Sequence, residues 1–165
     1  MIVVSNATPL ITLAKVGYFD LLQKLFAEIT ISQEVWNEVV VKGAGRSGSV
    51  ETSQASWIQV VSLANPTQLP VWRNQYNLGA GEVSTILLAK ELSANLALID
   101  ERKARALAAT EGLTLSGSIA ALESGYRKNY VSDLRQTYLD LLAAKIWIDQ
   151  RKLNRSLASL GLLPL

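Results

Sequence analysis

A chain of 165 residues, 49% hydrophobic and 18% charged, has the size and composition of one domain able to bury its own core. It holds no cysteine and no histidine, which excludes disulfide scaffolds, thiolate nucleophiles, His-ligated metals and Ser-His-Asp catalysis. Hydrolytic chemistry at neutral pH would therefore fall to carboxylates, with or without a metal that prefers oxygen ligands.

Ile2-Val3-Val4 reads as a first, central strand, and Ser5-Asn6-Ala7-Thr8-Pro9 as a strand-to-helix turn with Pro9 suited to a first helical turn. Leu10, Ile11, Leu13 and Ala14 mark a short apolar helix ending at Gly17, and Phe19, Leu21, Leu22, Leu25 and Phe26 mark another. Ile29-Thr30-Ile31 is a second strand. Ser32 is placed to N-cap a helix over 33–41 that turns Val35, Trp36, Val39 and Val40 inward. Residues 42–56 are rich in small polar residues and predict a mobile loop, one without the lysine of a phosphate-binding P-loop. Trp57-Ile58-Gln59-Val60-Val61 is a third strand, followed by a turn and an aromatic stretch with Trp72 and Tyr76, which suit core or dimer contacts. Gly79-Ala80-Gly81-Glu82 opens an amphipathic helix with Glu82 in its first turn.

Asn95-Leu96-Ala97-Leu98-Ile99 then runs straight into Asp100-Glu101 and a helix to about residue 111. A short apolar run ending on acid fits a strand covered on both faces, and ligands of open α/β sheets sit beyond such carboxyl ends. Asp100 suits equally the capping of the helix that follows. Leu113-Thr114-Leu115 is a last short strand, and helices near 119–126, 132–143 and 150–160 complete the chain. Alternation of strands and helices predicts a parallel sheet wrapped by helices: one domain over 1–165, with a core to about 125 and a helical extension over about 126–165.

The formal charge of +2 is uneven, five Lys/Arg against six Asp/Glu in residues 1–82 and eleven against eight in 83–165. A surplus of this size is ordinary for a solvated surface. Met1-Ile2-Val3-Val4 is too short for a signal core, and no apolar run reaches membrane-spanning length, so a soluble cytoplasmic protein is expected.

Asn6, Glu38, Glu82, Asp100 and Glu101 are far apart in the chain, yet most stand at strand ends or helix starts, positions that a parallel sheet brings to one edge. Clustered carboxylates raise one another's pKa unless a cation neutralises them, and without His or Cys that cation is a hard one such as Mg²⁺ or Mn²⁺. Each residue also has a plain reading: Glu38 as a solvated helix residue, Glu82 as a partner of the helix dipole, Thr8 and Ser118 as caps.

The opening Ile2-Val3-Val4-Ser5-Asn6-Ala7-Thr8-Pro9-Leu10-Ile11 resembles the start of PIN-domain proteins. Ile31-Ser32-Gln33-Glu34-Val35-Trp36-Asn37-Glu38 resembles the helix carrying that family's second acid. Gly79-Ala80-Gly81-Glu82 is similar to the third motif, Leu98-Ile99-Asp100-Glu101-Arg102-Lys103-Ala104-Arg105 to the fourth, and Leu115-Ser116-Gly117-Ser118-Ile119 to the turn after it. The resemblance covers most of the chain, including the C-terminal helices of a bacterial subgroup. It implies a three-layer PIN-like α/β fold and a Mg²⁺- or Mn²⁺-dependent ribonuclease, often the toxin of a VapBC-type toxin–antitoxin pair. It further implies catalytic and metal-binding roles for Asn6, Glu38, Glu82 and Asp100, an RNA substrate, an antitoxin partner and a homodimer. Glu101 is an extra acid that could join the metal set, and Thr8, Arg102, Arg105 and Ser118 are candidates for holding substrate. One departure stands out: the family pattern calls for Asp where this chain has Asn6. An amide oxygen still ligates a cation, but without charge and without basicity. The alternatives are a catalytically silent RNA- or protein-binding module and, last, a phosphate-accepting receiver domain, which would want an acidic pair where Ser5-Asn6 stands.

Overall fold

Short β-branched and apolar runs form five strands, β1 (Val3–Ser5), β2 (Ile29–Ser32), β3 (Ile58–Val61), β4 (Leu96–Leu98) and β5 (Leu115–Ser116), in a computed structural model that describes all of residues 1–165. Every pairing is parallel and the order is β3-β2-β1-β4-β5. β1 is central, as its three buried residues require. The chain builds outward on one side of β1 and then crosses to the other, so the gap between the carboxyl ends of β1 and β4 is a topological switch point. A receiver domain has strand order 2-1-3-4-5, which this sheet does not have.

Successive side chains alternate between the two faces. Val3, Ile29, Ile31 and Leu98 enter the larger core with α1 (Ala7–Lys15), α2 (Leu21–Phe26), α8 (Ser118–Arg127), α9 (Leu134–Ala143) and α10 (Gln150–Ser159). Val4, Ala97 and Ile99 enter the smaller core with α6 (Ala80–Glu91) and α7 (Arg102–Thr110). The result is three layers, helix on sheet on helix. α5 (Gln68–Tyr76) lies outside α6, and Trp72 and Tyr76 pack edge to face at 5.5 Å against the smaller core. Leu134, Tyr138, Leu141, Leu153 and Leu157 share the larger core with Val3, so the C-terminal helices are built into the main body.

Three local expectations give way. Residues 42–56 are not all loop: Ser49–Gln54 form α4, where Ser49 and Thr52 are buried and the Glu51 carboxylate accepts the Gly48 N–H at 2.6 Å. Six residues are too few to print a helical period. The helix after β2 is α3 (Gln33–Trp36) only, continuing as a π-turn over Asn37–Val41 in which the Lys42 N–H reaches the Asn37 carbonyl at 2.8 Å. α6 is not amphipathic, because Val83 through Ala89 are all buried. Its two polar residues there are satisfied at home, with the Ser84 and Thr85 hydroxyls donating to the Gly81 carbonyl at 3.0 and 2.7 Å.

Candidate functional site

The residue after β1 is Asn6, whose N–H extends the parallel ladder to the Leu98 carbonyl at 3.0 Å. That register sets Asn6 beside the end of β4, just short of Asp100 and Glu101. Glu38 arrives on the π-turn after β2, and Glu82 on the first turn of α6. Gly81 marks where they meet: a Cβ there would lie 2.5 Å from Glu38 Oε2 and 3.4 Å from Asn6 Oδ1. Only hydrogen leaves room for both oxygens. Beneath them the buried Ser32 and Ser84 hydroxyls bond at 2.7 Å. Ser32 accepts the Val35 N–H at 3.0 Å and Ser84 donates to Gly81, so Ser32 is the donor of the pair. The cap of the Glu38-bearing helix is thereby tied to the turn that carries Glu82.

Asn6 is 2% exposed. Its Nδ2 donates to Glu101 Oε2 at 3.1 Å, and the Thr8 hydroxyl donates to Glu101 Oε1. A carboxylate only accepts, so the amide nitrogen must face Glu101 and Oδ1 must face the other way. There Oδ1 is buried with no hydrogen-bond partner. Asp100 accepts the Ser118 N–H at 2.8 Å on Oδ1 and the Ser118 hydroxyl at 2.6 Å on Oδ2. It does not cap α7, whose N-cap position Glu101 occupies, and instead takes the first N–H of α8. Burial pushes the Asp100 carboxyl up from its ordinary value and the Glu101 charge adds to this, against the Ser118 hydrogen bonds and the Arg105 charge. Glu38 is also raised, first by desolvation and then by Glu101 and Glu82, with Lys42 opposing. The Glu82 carboxylate accepts the Gly79 N–H at 2.7 Å.

This arrangement suits a hard divalent ion. Every donor is an oxygen, two of the acids are disfavoured in their charged form, and a buried amide oxygen waits without a partner beside Glu38. No three carboxylates converge closely enough to enclose an ion as they stand, since Glu82 and Asp100 are held by Gly79 and Ser118. Both carboxylates keep lone pairs for a cation beside these hydrogen bonds, so ligation asks only that they move closer together.

The other sequence candidates fall into distinct roles. Thr8 and Ser118 hold Glu101 and Asp100. Arg105 donates through Nη1 to the Ile99 and Ser116 carbonyls at 2.6 and 2.9 Å, bracing the ends of β4 and β5. Arg102 is exposed at the rim of an opening that also reaches Asp100 and Glu101. Trp147, Lys152 and Arg155, which are not among the sequence candidates, border the same acids from the C-terminal side. The signal for Lys152 and Arg155 was a polar stripe along α10, shared with Ser156 and Ser159 at helical spacing and lying beside the apolar stripe of Leu153 and Leu157.

A fully parallel 3-2-1-4-5 sheet with acids and one amide gathered at its switch point defines a protein of the PIN type. The PIN-domain family matches residues 2–162, and the chain belongs to that family, whose members commonly carry nuclease activity and typically use divalent metals. Among solved structures it is similar to PAE2754 from Pyrobaculum aerophilum, at 18% identity and a TM-score of 0.49 over 70% of this chain and 83% of that one. No curated protein matches it. No helix is long and apolar enough to cross a membrane.

Proposed function

We propose that this chain is a Mg²⁺- or Mn²⁺-dependent endoribonuclease of PIN type, weakened by Asn6. The observation that carries the reading is the buried Asn6 Oδ1, unpartnered and beside Glu38 at the switch point. Glu38, Glu82, Asp100 and Asn6 would hold the ion, with Glu101 next to them. When bound, such an ion acidifies water and neutralises charge on a phosphodiester. Ser118 fixes the Asp100 carboxylate from two sides, while Thr8 and Asn6 fix Glu101, so neither acid has to search for its position. Asn6 brings no charge to this set, and altered metal surroundings commonly cost roughly 10–100-fold in affinity or activity. The proposal includes a toxin role, an antitoxin partner and a homodimer, as the family resemblance implies.

A silent binding module is the second reading, and the Asn6 to Glu101 hydrogen bond favours it, because it lets the cluster rest without a cation. Titration with Mn²⁺ separates the two. The nuclease reading expects a native-state ligand to stabilise by RT ln(1 + [L]/Kd), about 2.7 kcal/mol at a hundredfold excess over Kd, with Asp100→Ala abolishing both that gain and RNA cleavage. Calorimetry that finds no site at millimolar metal ends the nuclease reading.

A further inference from the structure

One wall of the acid crevice has no task in the chemistry above. Two openings meet at Asp100, Ile119 and Lys152. The larger, about 480 Å³, is also bordered by Arg105, Arg155 and Ser156; the smaller, about 240 Å³, by Thr8, Glu101, Arg102 and Trp147. Neither Lys152 nor Arg155 has an ion-pair partner, since the ion pairs are Lys90 with Glu111 and Arg151 with Asp149. Glu123 borders the larger opening but stands beyond ion-pair distance of both. Trp147 is fully exposed, at 101%, while its neighbours Ile146 and Ile148 pack against the larger core and hold the indole outward. The support is firm: Leu153 and Leu157 are buried, and the Ser156 hydroxyl bonds the buried Tyr138 hydroxyl at 2.5 Å.

We propose that the 147–155 segment is the single-stranded nucleic-acid grip of this site, with Trp147 stacking a base beside Glu101 while Lys152 and Arg155 bind phosphates beyond Asp100. This rests on the reading that the site acts on nucleic acid; what it adds is which residues of this chain take the strand and on which side of the acids they do so. A floor of carboxylates repels a polyanion, so the chain can approach only where cations flank the acids. Lys152 and Arg155 are in no ion pair, and of the acids nearby Arg155 acts on Asp149 only from a distance. An indole face accepts a base only when that base is unpaired, and such stacking tolerates any sequence. A protein partner would also use an exposed tryptophan, but unpartnered cations along the same acidic crevice match a phosphate backbone better.

The test uses the full chain in chelator, so that binding is read without cleavage, with a fluorescein-labelled oligouridylate of about 12 nucleotides followed by anisotropy. Lys152→Ala/Arg155→Ala is expected to weaken binding at least about 10-fold and to lower the slope of log K against log salt by about 1.4, or 0.7 for each lost phosphate on a single strand. Trp147→Ala is expected to weaken it about 10-fold with the salt slope unchanged, and Trp147→Phe to restore most of the loss. Unchanged affinity in these variants overturns the proposal. So does a blunt RNA duplex that binds as tightly as the oligouridylate, or a parent protein that binds neither at low salt, which would leave this wall to a protein partner. RNA cleavage by the metal-loaded protein that the variants leave untouched would sink this inference and spare the nuclease reading; lost binding in a protein that never cleaves would do the reverse.

Discussion

Replacing Asn6 by Asp changes little volume but turns the Nδ2 donor into an oxygen that faces Glu101 Oε2, now 3.1 Å away. Two unit charges at that separation repel by about 5 kcal/mol at an effective dielectric of 20. Proton uptake sets a ceiling on the loss, because protonating an Asp with an unfolded pKa near 3.9 at pH 7 costs about 4 kcal/mol. In chelator at pH 7 the variant should therefore be less stable than the parent by about 2–4 kcal/mol. The new carboxyl has a folded pKa raised above its unfolded one, so the penalty is full at high pH and vanishes below the unfolded value. At the ceiling, about 4 kcal/mol at pH 7 becomes about 1.5 kcal/mol at pH 5. With Mn²⁺ the order should narrow or invert, since the added charge now faces a cation, and cleavage should rise about 10–100-fold. Urea denaturation of both proteins, at the two pH values, with and without Mn²⁺, reads the three effects on stability, and an RNA cleavage assay reads the fourth. Equal stability in chelator, or an identical metal response, would show that residue 6 does not face this cluster, and the reasoning would fail.

Gly81→Ala should fold, because the atom a Cβ meets is the end of the flexible Glu38 side chain, but it should displace that carboxylate and cut the Mn²⁺-induced rise in melting temperature by at least half. An undiminished rise, seen by differential scanning fluorimetry, would remove Glu38 from the site. In chelator, the raised Glu38 and Asp100 carboxyls should make the parent gain stability as pH falls from neutrality towards their ordinary values of 4.5 and 3.8. Glu38→Gln should be more stable than the parent at pH 7, with the difference closing as pH approaches 4.5; a difference that widens on acidification contradicts the assigned crowding.

Much of this was legible because apolar runs ended on informative residues. Val3 and Val4 ahead of Asn6, and Leu98 and Ile99 ahead of Asp100, announced buried strands with polar groups at one edge, and Ser32 announced its own capping role. What escaped depended on distance in the chain or on turns with no composition of their own. Nothing local says that Ser118 holds Asp100 with both of its donors, or that Glu101 is taken up by Asn6 and Thr8. Gln33 to Val41 has a continuous helical pattern, and the π-turn that carries Glu38 leaves that pattern intact. The stripe of Lys152 and Arg155 can be read from sequence as a polar face, but which crevice it borders is decided by how α10 packs on Tyr138.

The Ser32 to Ser84 bond joins two parts of the chain that meet only when the sheet is complete, and the oxygens above it come from residues 6, 38, 82 and 100. Such a site is absent from any partly folded chain. Ligand binding confined to the finished structure leaves the folding rate alone and slows unfolding instead. On the function proposed above, such a site takes its ion only in the finished fold and the bound ion slows unfolding, a kinetic asymmetry that follows from where the carboxylates sit along the sequence.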